Sequence, residues 1–238
     1  MGKQPNFYSC CTRWNGEGYI LGIGSGELSS VEALLTVPDV LCKGGTNLRV
    51  ASVDLDGKKD FTLKQQKYKV SDALKTGEAS DLFDYIAESV EHFITTHLFE
   101  FSKNEHPKDK LFLGFTFSFP VKQTALDSGT LITWTKGFTA SNAKGKDVVV
   151  LLQTALDKRQ IPVICSALVN DTVGTMLSRA YQSGGAVLGA IFGTGTNAAY
   201  LERYENVKTM TPDAKEVPQE YMIINTVGFF RFRCRFNS

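Results

Sequence analysis

Two polar clusters close two apolar runs of this 238-residue chain. The run VICSALV ends on Asn170-Asp171-Thr172, and the run AVLGAIF ends on Gly193-Thr194-Gly195-Thr196-Asn197. The first offers a carboxylate that can accept a hydroxyl proton; the second is a glycine bend whose backbone N–H groups can approach a phosphate closely. A base and a phosphate-sized turn, one helix apart, are the parts that phosphoryl transfer to an alcohol needs. The pairing points to a small hydroxylated substrate.

The elements that must position these residues are legible from Gly44 onward. GGTNLRVASVDLDG reads as a glycine turn entering a strand that stops at Asp56-Gly57, with Asp60 to Val70 as its hairpin partner. Leu82, Ile86, Val90, Phe93, Ile94 and Leu98 fall on one stripe, which predicts a helix from about Asp81 to Leu98, capped by Ser80 or Asp81. LFLGFTFSFP reads as a strand ending at Pro120, which delivers Ser118 at its edge. A looped segment then carries Trp134-Thr135-Lys136-Gly137-Phe138. A helix capped by Asp147 runs to about Lys158, before the continuous apolar strand that ends at Asn170 and suggests a sheet buried on both faces. A helix from Thr172 to Tyr181, a Gly184-Gly185 stop, and strands Val187 to Phe192 and Ala198 to Tyr204 complete the readable order. That order is mixed α/β.

The termini read differently. Residues 1 to 43 are expected to be an irregular leader, with one short helical candidate, Ser29 to Leu35. Its glycines are spaced GxGxG with no βαβ unit after them, so they make a loop rather than a dinucleotide site. Met1-Gly2 opens like a myristoylation signal, but Asn6 stands where Ser or Thr is wanted. Residues 226 to 238 are read as an irregular tail, although Arg231, Arg233 and Arg235 alternate with aromatics that could stack on a nucleic-acid strand.

Composition narrows the partners. Lys plus Arg number 26 and Asp plus Glu 25, so no overall field draws the chain to nucleic acid or an anionic membrane. No apolar run reaches membrane-spanning length. The five cysteines are odd in number and lack CxxC spacing, which suits a reducing, cytoplasmic compartment. His92 and His97 share a predicted helix without a third ligand, and His106 lies in a polar loop, so no metal site is expected from them.

Four segments in order, LGFTFSFP (113–120), WTKGF (134–138), LVNDTVGT (168–175) and IFGTGTNAAY (191–200), resemble the eukaryotic hexokinase family, fungal-type hexokinases and glucokinases included. GGTNLRV (44–50) resembles its first phosphate loop. The resemblance implies an actin-like, RNase-H-like α/β fold of two lobes around a cleft, with residues 44–171 as the small lobe and 172–225 as the start of an incomplete large lobe. It further implies ATP-dependent phosphorylation of a hexose such as glucose at the 6-hydroxyl, the first step of glycolysis, with magnesium. Matched residue by residue, Ser118, Thr135, Lys136, Asn170, Asp171 and Asn197 stand at sugar-contacting positions, and Asp171 at that of the base. Gly44, Gly45, Thr46 and Asn47, with Gly193, Thr194 and Gly195, stand at phosphate-cradling turns. Taken singly, Asp171 also suits a helix N-cap, Asn170 a turn, Ser118 a strand end and Lys136 a solvated surface. Their order along the chain selects the functional reading.

Two departures qualify that resemblance. Cys42-Lys43 stands where the family's first loop has a magnesium-positioning Asp, and the preceding Val37-Pro38-Asp39-Val40 reads as a poor central strand. After MIIN (222–225) the expected second phosphate loop and adenosine pocket do not follow. These departures predict impaired nucleotide use, with a non-catalytic sugar-binding or regulatory remnant that has lost productive magnesium-ATP binding as the alternative, and self-association through an uncovered large-lobe face.

Overall fold

The computed structural model describes residues 31–39, 47–55, 59–97, 110–192, 196–207 and 220–226. They fall into two compact units, divided in the chain between Asp171 and Thr172.

The first unit is built on strands β1 (Val31–Asp39), β2 (Asn47–Leu55), β3 (Phe61–Lys69) and β4 (Leu111–Thr116), a hairpin of β5 (Val121–Ala125) and β6 (Ser128–Leu131), and β7 (Val163–Val169). The main sheet has the order β3-β2-β1-β4-β7. Its first three strands pair antiparallel, while β1–β4 and β4–β7 are parallel. β4 and most of β7 are buried on both faces, as their unbroken apolar runs require. β3 lies at the edge, and its Lys64, Lys67 and Lys69 guard that edge against strand addition.

Two short turns lead to the helices that cover this sheet. α1 (Asp72–Thr76) is capped by Ser71, whose Oγ accepts from the Leu74 N–H. α2 (Ala79–His97) buries Leu82, Phe83, Ile86, Val90, Phe93 and Ile94, a stripe recurring at three- and four-residue steps. α3 (Val148–Lys158) begins at Asp147, whose carboxylate accepts from the Val149 and Val150 N–H groups at 2.8 and 3.3 Å. α2 packs on β2, β3 and α3, and α3 packs on β6 and β7.

The second unit begins inside α4 (Asp171–Ser183), which stops at Gly184 with a φ of 78°. It continues with β8 (Leu188–Phe192), β9 (Thr196–Arg203), a 3₁₀ turn at Tyr204–Asn206 and β10 (Tyr221–Asn225). These strands form an antiparallel sheet ordered β10-β9-β8. Gly189 brings β8 close to α4: a Cβ there would lie 2.9 Å from the Thr172 carbonyl oxygen and 3.0 Å from the Met176 nitrogen.

Several expectations are corrected. Residues 31–39 of the expected leader are a strand at the middle of the main sheet, so Val31–Leu35 are strand where a helix is expected from sequence. Pro38 is accommodated because β1 pairs with β4 only over Ala33–Thr36, so beyond Thr36 only the β2 side must be matched. β4 ends at Thr116 rather than Pro120, α2 starts at Ala79, and the looped segment before WTKGF contains the β5–β6 hairpin.

Candidate active site

The end of β4 and the end of β7 deliver the site together. Phe117, the residue after β4, donates its N–H to the Val169 carbonyl at 2.8 Å, so Ser118 and Asn170 leave the sheet from adjacent edges. Ser118 is buried, and its Oγ has no hydrogen-bond partner. A buried hydroxyl without a partner carries a desolvation penalty of about 1–3 kcal/mol, which a ligand's hydroxyl would relieve. Asn170 and Asp171 are half-buried; Asp171 opens α4, where a carboxylate complements the helix's positive end.

The WTKGF segment reaches the same place as a tight turn. Phe138 donates its N–H to the Thr135 carbonyl at 3.1 Å, and the central pair Lys136 and Gly137 have φ of 58° and 81°. Both positive values mark a type I′ geometry, which glycine takes freely and lysine only at a strain of roughly 1–2 kcal/mol. Aromatic packing holds the turn: Trp134 stacks on Phe138 at 5.6 Å and meets Phe119 edge-on at 4.9 Å, while its indole N–H donates to the Ala140 carbonyl at 2.7 Å. Trp134 and Phe138 thus form the frame of the turn.

Lys136 Nζ lies 5.9 Å from the Phe119 ring centroid. The side chain as a whole is exposed, yet neighbouring atoms strip water from the ammonium and lower its pKa, and the negative charge of Asp171 pulls it back up. The lysine is therefore electrostatically coupled to the carboxylate at the start of α4. The first unit brings Ser118, the Thr135–Lys136 turn and Asn170–Asp171 to one end of its sheet.

Asn197 belongs to the second unit, in β9, where its Nδ2 donates to Thr172 Oγ1 at 2.8 Å and its Oδ1 accepts from the Ala198 N–H at 3.0 Å. Thr172 is fully buried and follows Asp171 in the chain. Gly44, Gly45, Thr46, Gly193, Thr194 and Gly195, like Cys42, Lys43 and the Arg-rich tail, lie outside the described residues; Asn47 is described only as the first backbone position of β2. Among the described residues no cluster of His, Cys, Asp and Glu could hold a metal ion. His92 and His97 bond instead to Tyr68 and Gln66, at 3.0 and 2.9 Å.

The chain matches a family model described as hexokinase over residues 41–181 and a second of the same description over residues 187–231. A glucokinase of Aspergillus niger is 47% identical over 199 residues, which cover 76% of this chain and 40% of that relative. A hexokinase of Schistosoma mansoni is 45% identical over 185 residues, 77% of this chain and 38% of the relative. Among solved structures, the Schistosoma mansoni hexokinase complexed with glucose superposes with a TM-score of 0.69 at 40% identity, covering 83% of this chain and 41% of that one. The chain spans about two fifths of the length of these relatives. It shares their actin-like ATPase fold, with mixed α/β sheets. By the match over residues 41–181 and by these identities, the chain belongs to the hexokinase family.

Proposed function

We propose that this chain holds a hexose, glucose first, and supplies the base for ATP-dependent phosphorylation of its 6-hydroxyl. Ser118, Thr135, Lys136, Asn170 and Asn197 bind sugar hydroxyls, and Asp171 accepts the 6-hydroxyl proton as that oxygen forms its bond to phosphorus. Magnesium ATP, which the glycine-rich segments Gly44–Asn47 and Gly193–Gly195 would hold, would supply the phosphoryl group. The observation that carries this reading is the polar set at the end of β4 and β7: a buried, unbonded Ser118 hydroxyl and a Lys136 ammonium coupled to Asp171. Buried polar groups that go unsatisfied without their substrate are what discriminates one sugar from a poorer one.

The cysteine pattern supports a reducing, cytoplasmic setting, and among the described residues no helix is long and apolar enough to cross a membrane. Val187 and Leu188, 65% and 60% exposed at the entry to β8, support self-association through that face. A second reading, a sugar-binding member with weak nucleotide use, is favoured by Cys42-Lys43, which offers a thiol and a positive charge where a magnesium-positioning carboxylate is expected.

A coupled phosphorylation assay with calorimetric glucose titration tests both readings. Asp171→Ala should lower turnover on the order of 100- to 10,000-fold while weakening glucose binding less, because loss of a base acts on the chemical step. Turnover equal to the parent's in that variant would reduce Asp171 to a helix-terminal carboxylate. Glucose binding without turnover in the parent would select the second reading.

A further inference from the structure

The β5–β6 hairpin connects every site segment of the first unit. β5 opens at Val121, just past Ser118, and β6 closes at Leu131, just before the Thr135–Lys136 turn. The hairpin also grips the end of β7. Leu168 donates its N–H to the Leu126 carbonyl at 2.7 Å, and its own carbonyl accepts from Gln123 Nε2 at 2.9 Å. Gly129 faces the same residue so closely that a Cβ would stand 2.3 Å from Leu168 Cδ2. The Gly129 N–H is in turn bonded to Asp147 Oδ2 at 3.0 Å, which ties the hairpin to the start of α3. On the opposite edge Phe117 holds Val169. The two residues before Asn170–Asp171 are thus clamped from both sides.

We propose that Gln123 and Gly129 are positioning residues for Asp171: the hairpin sets where β7 ends, and so where the base stands. The inference rests on the reading of Asp171 as base. It is not required by folding alone, because β7 already pairs with β4 along its length, and Gln153 clamps its other end, with Nε2 on the Val163 carbonyl at 3.1 Å and Oε1 on the Cys165 N–H at 2.8 Å. Gln153 provides a matched control, a glutamine bonded to the same strand far from the site.

The test compares the 238-residue parent with Gln123→Leu, Gly129→Ala and Gln153→Leu by glucose phosphorylation, thermal melting and amide hydrogen exchange over Asn170–Gly174. Misplacing a reacting group by about 1 Å can cost on the order of 100-fold, so kcat should fall about tenfold or more in Gln123→Leu and Gly129→Ala, with the glucose KM changing about threefold or less. Exchange over Asn170–Gly174 should quicken in both, while Gln153→Leu keeps its kcat even where its melting temperature drops. Equal kcat in parent and Gln123→Leu overturns the proposal. If the parent does not phosphorylate glucose, the reading of the reaction fails separately; exchange then decides, and unchanged protection at Asn170–Gly174 in both variants overturns the positioning role. Gln123 is exposed, so its substitution leaves the fold testable even where Gly129→Ala does not accumulate.

Discussion

Ser118 and Lys136 are residues whose folded state is less comfortable than the chain could make it. The Ser118 hydroxyl is buried without a partner, so Ser118→Ala should leave the free protein as stable as the parent or stabilise it by up to about 1–3 kcal/mol. The same change should weaken glucose binding, because the sugar loses a hydroxyl partner in a desolvated place. Melting curves with and without glucose check both signs, and a variant that is destabilised alone and still shifted normally by glucose would remove Ser118 from the site. Lys136 carries a pKa lowered first by desolvation, with Asp171 opposing the shift. The unfolded chain therefore binds that proton more tightly, and the lysine's contribution makes stability rise with pH between the lowered value and the ordinary lysine pKa. Lys136→Met should lose this rise, as read from denaturant midpoints across the alkaline range. An identical pH dependence in parent and variant would place the ammonium in full solvent.

Between elements, the controlling feature of the second unit is the closeness of β8 to the first turns of α4. A Cβ at Gly189 would meet backbone atoms of Thr172 and Met176, which cannot rotate aside. Gly189→Ala should therefore destabilise the protein by about 1–3 kcal/mol through overpacking, measured as a lowered denaturant midpoint. An unchanged midpoint would mean that β8 and α4 part easily. The same elements show what sequence alone could reveal. The period-3.6 stripe of α2, the Asp147 cap and the apolar run of β7 were legible because each signal is local. β1 was not, since Pro38 and Asp39 resemble a strand breaker until β4 is seen to leave that end unpaired. The β5–β6 hairpin was hidden because VKQTA and SGTL are mostly polar, and what seats the hairpin is contact with Leu168 and Asp147, far along the chain. The candidate site residues are proposed from their order along the chain; the orphaned Ser118 hydroxyl and the left-handed Lys136 are visible only in three dimensions.

For the molecule as a whole, Cys165 reports how often the first unit opens. It sits in β7, paired with Leu113 of β4 and buried, and burial pushes its thiol pKa up to about 12. The unfolded chain loses that proton at lower pH, so the group's contribution to stability falls as pH rises from the ordinary cysteine range toward 12. Near neutral pH the thiol is both covered and protonated, and a thiol reagent can reach a reactive thiolate only when β7 is released. Labelling of the Cys165 peptide, followed by mass spectrometry under native conditions, should therefore track the equilibrium population of the open state. A ligand that binds only the folded unit lowers that population by mass action, and at about 100 times its dissociation constant glucose should slow the labelling roughly 100-fold, equivalent to ~2.7 kcal/mol. The effect needs no turnover and no nucleotide, so it separates sugar binding from phosphoryl transfer in one measurement. Rapid labelling of native Cys165, or a rate that glucose leaves unchanged even at the highest concentrations tested, would mean that the polar set at the end of β7 does not hold the sugar.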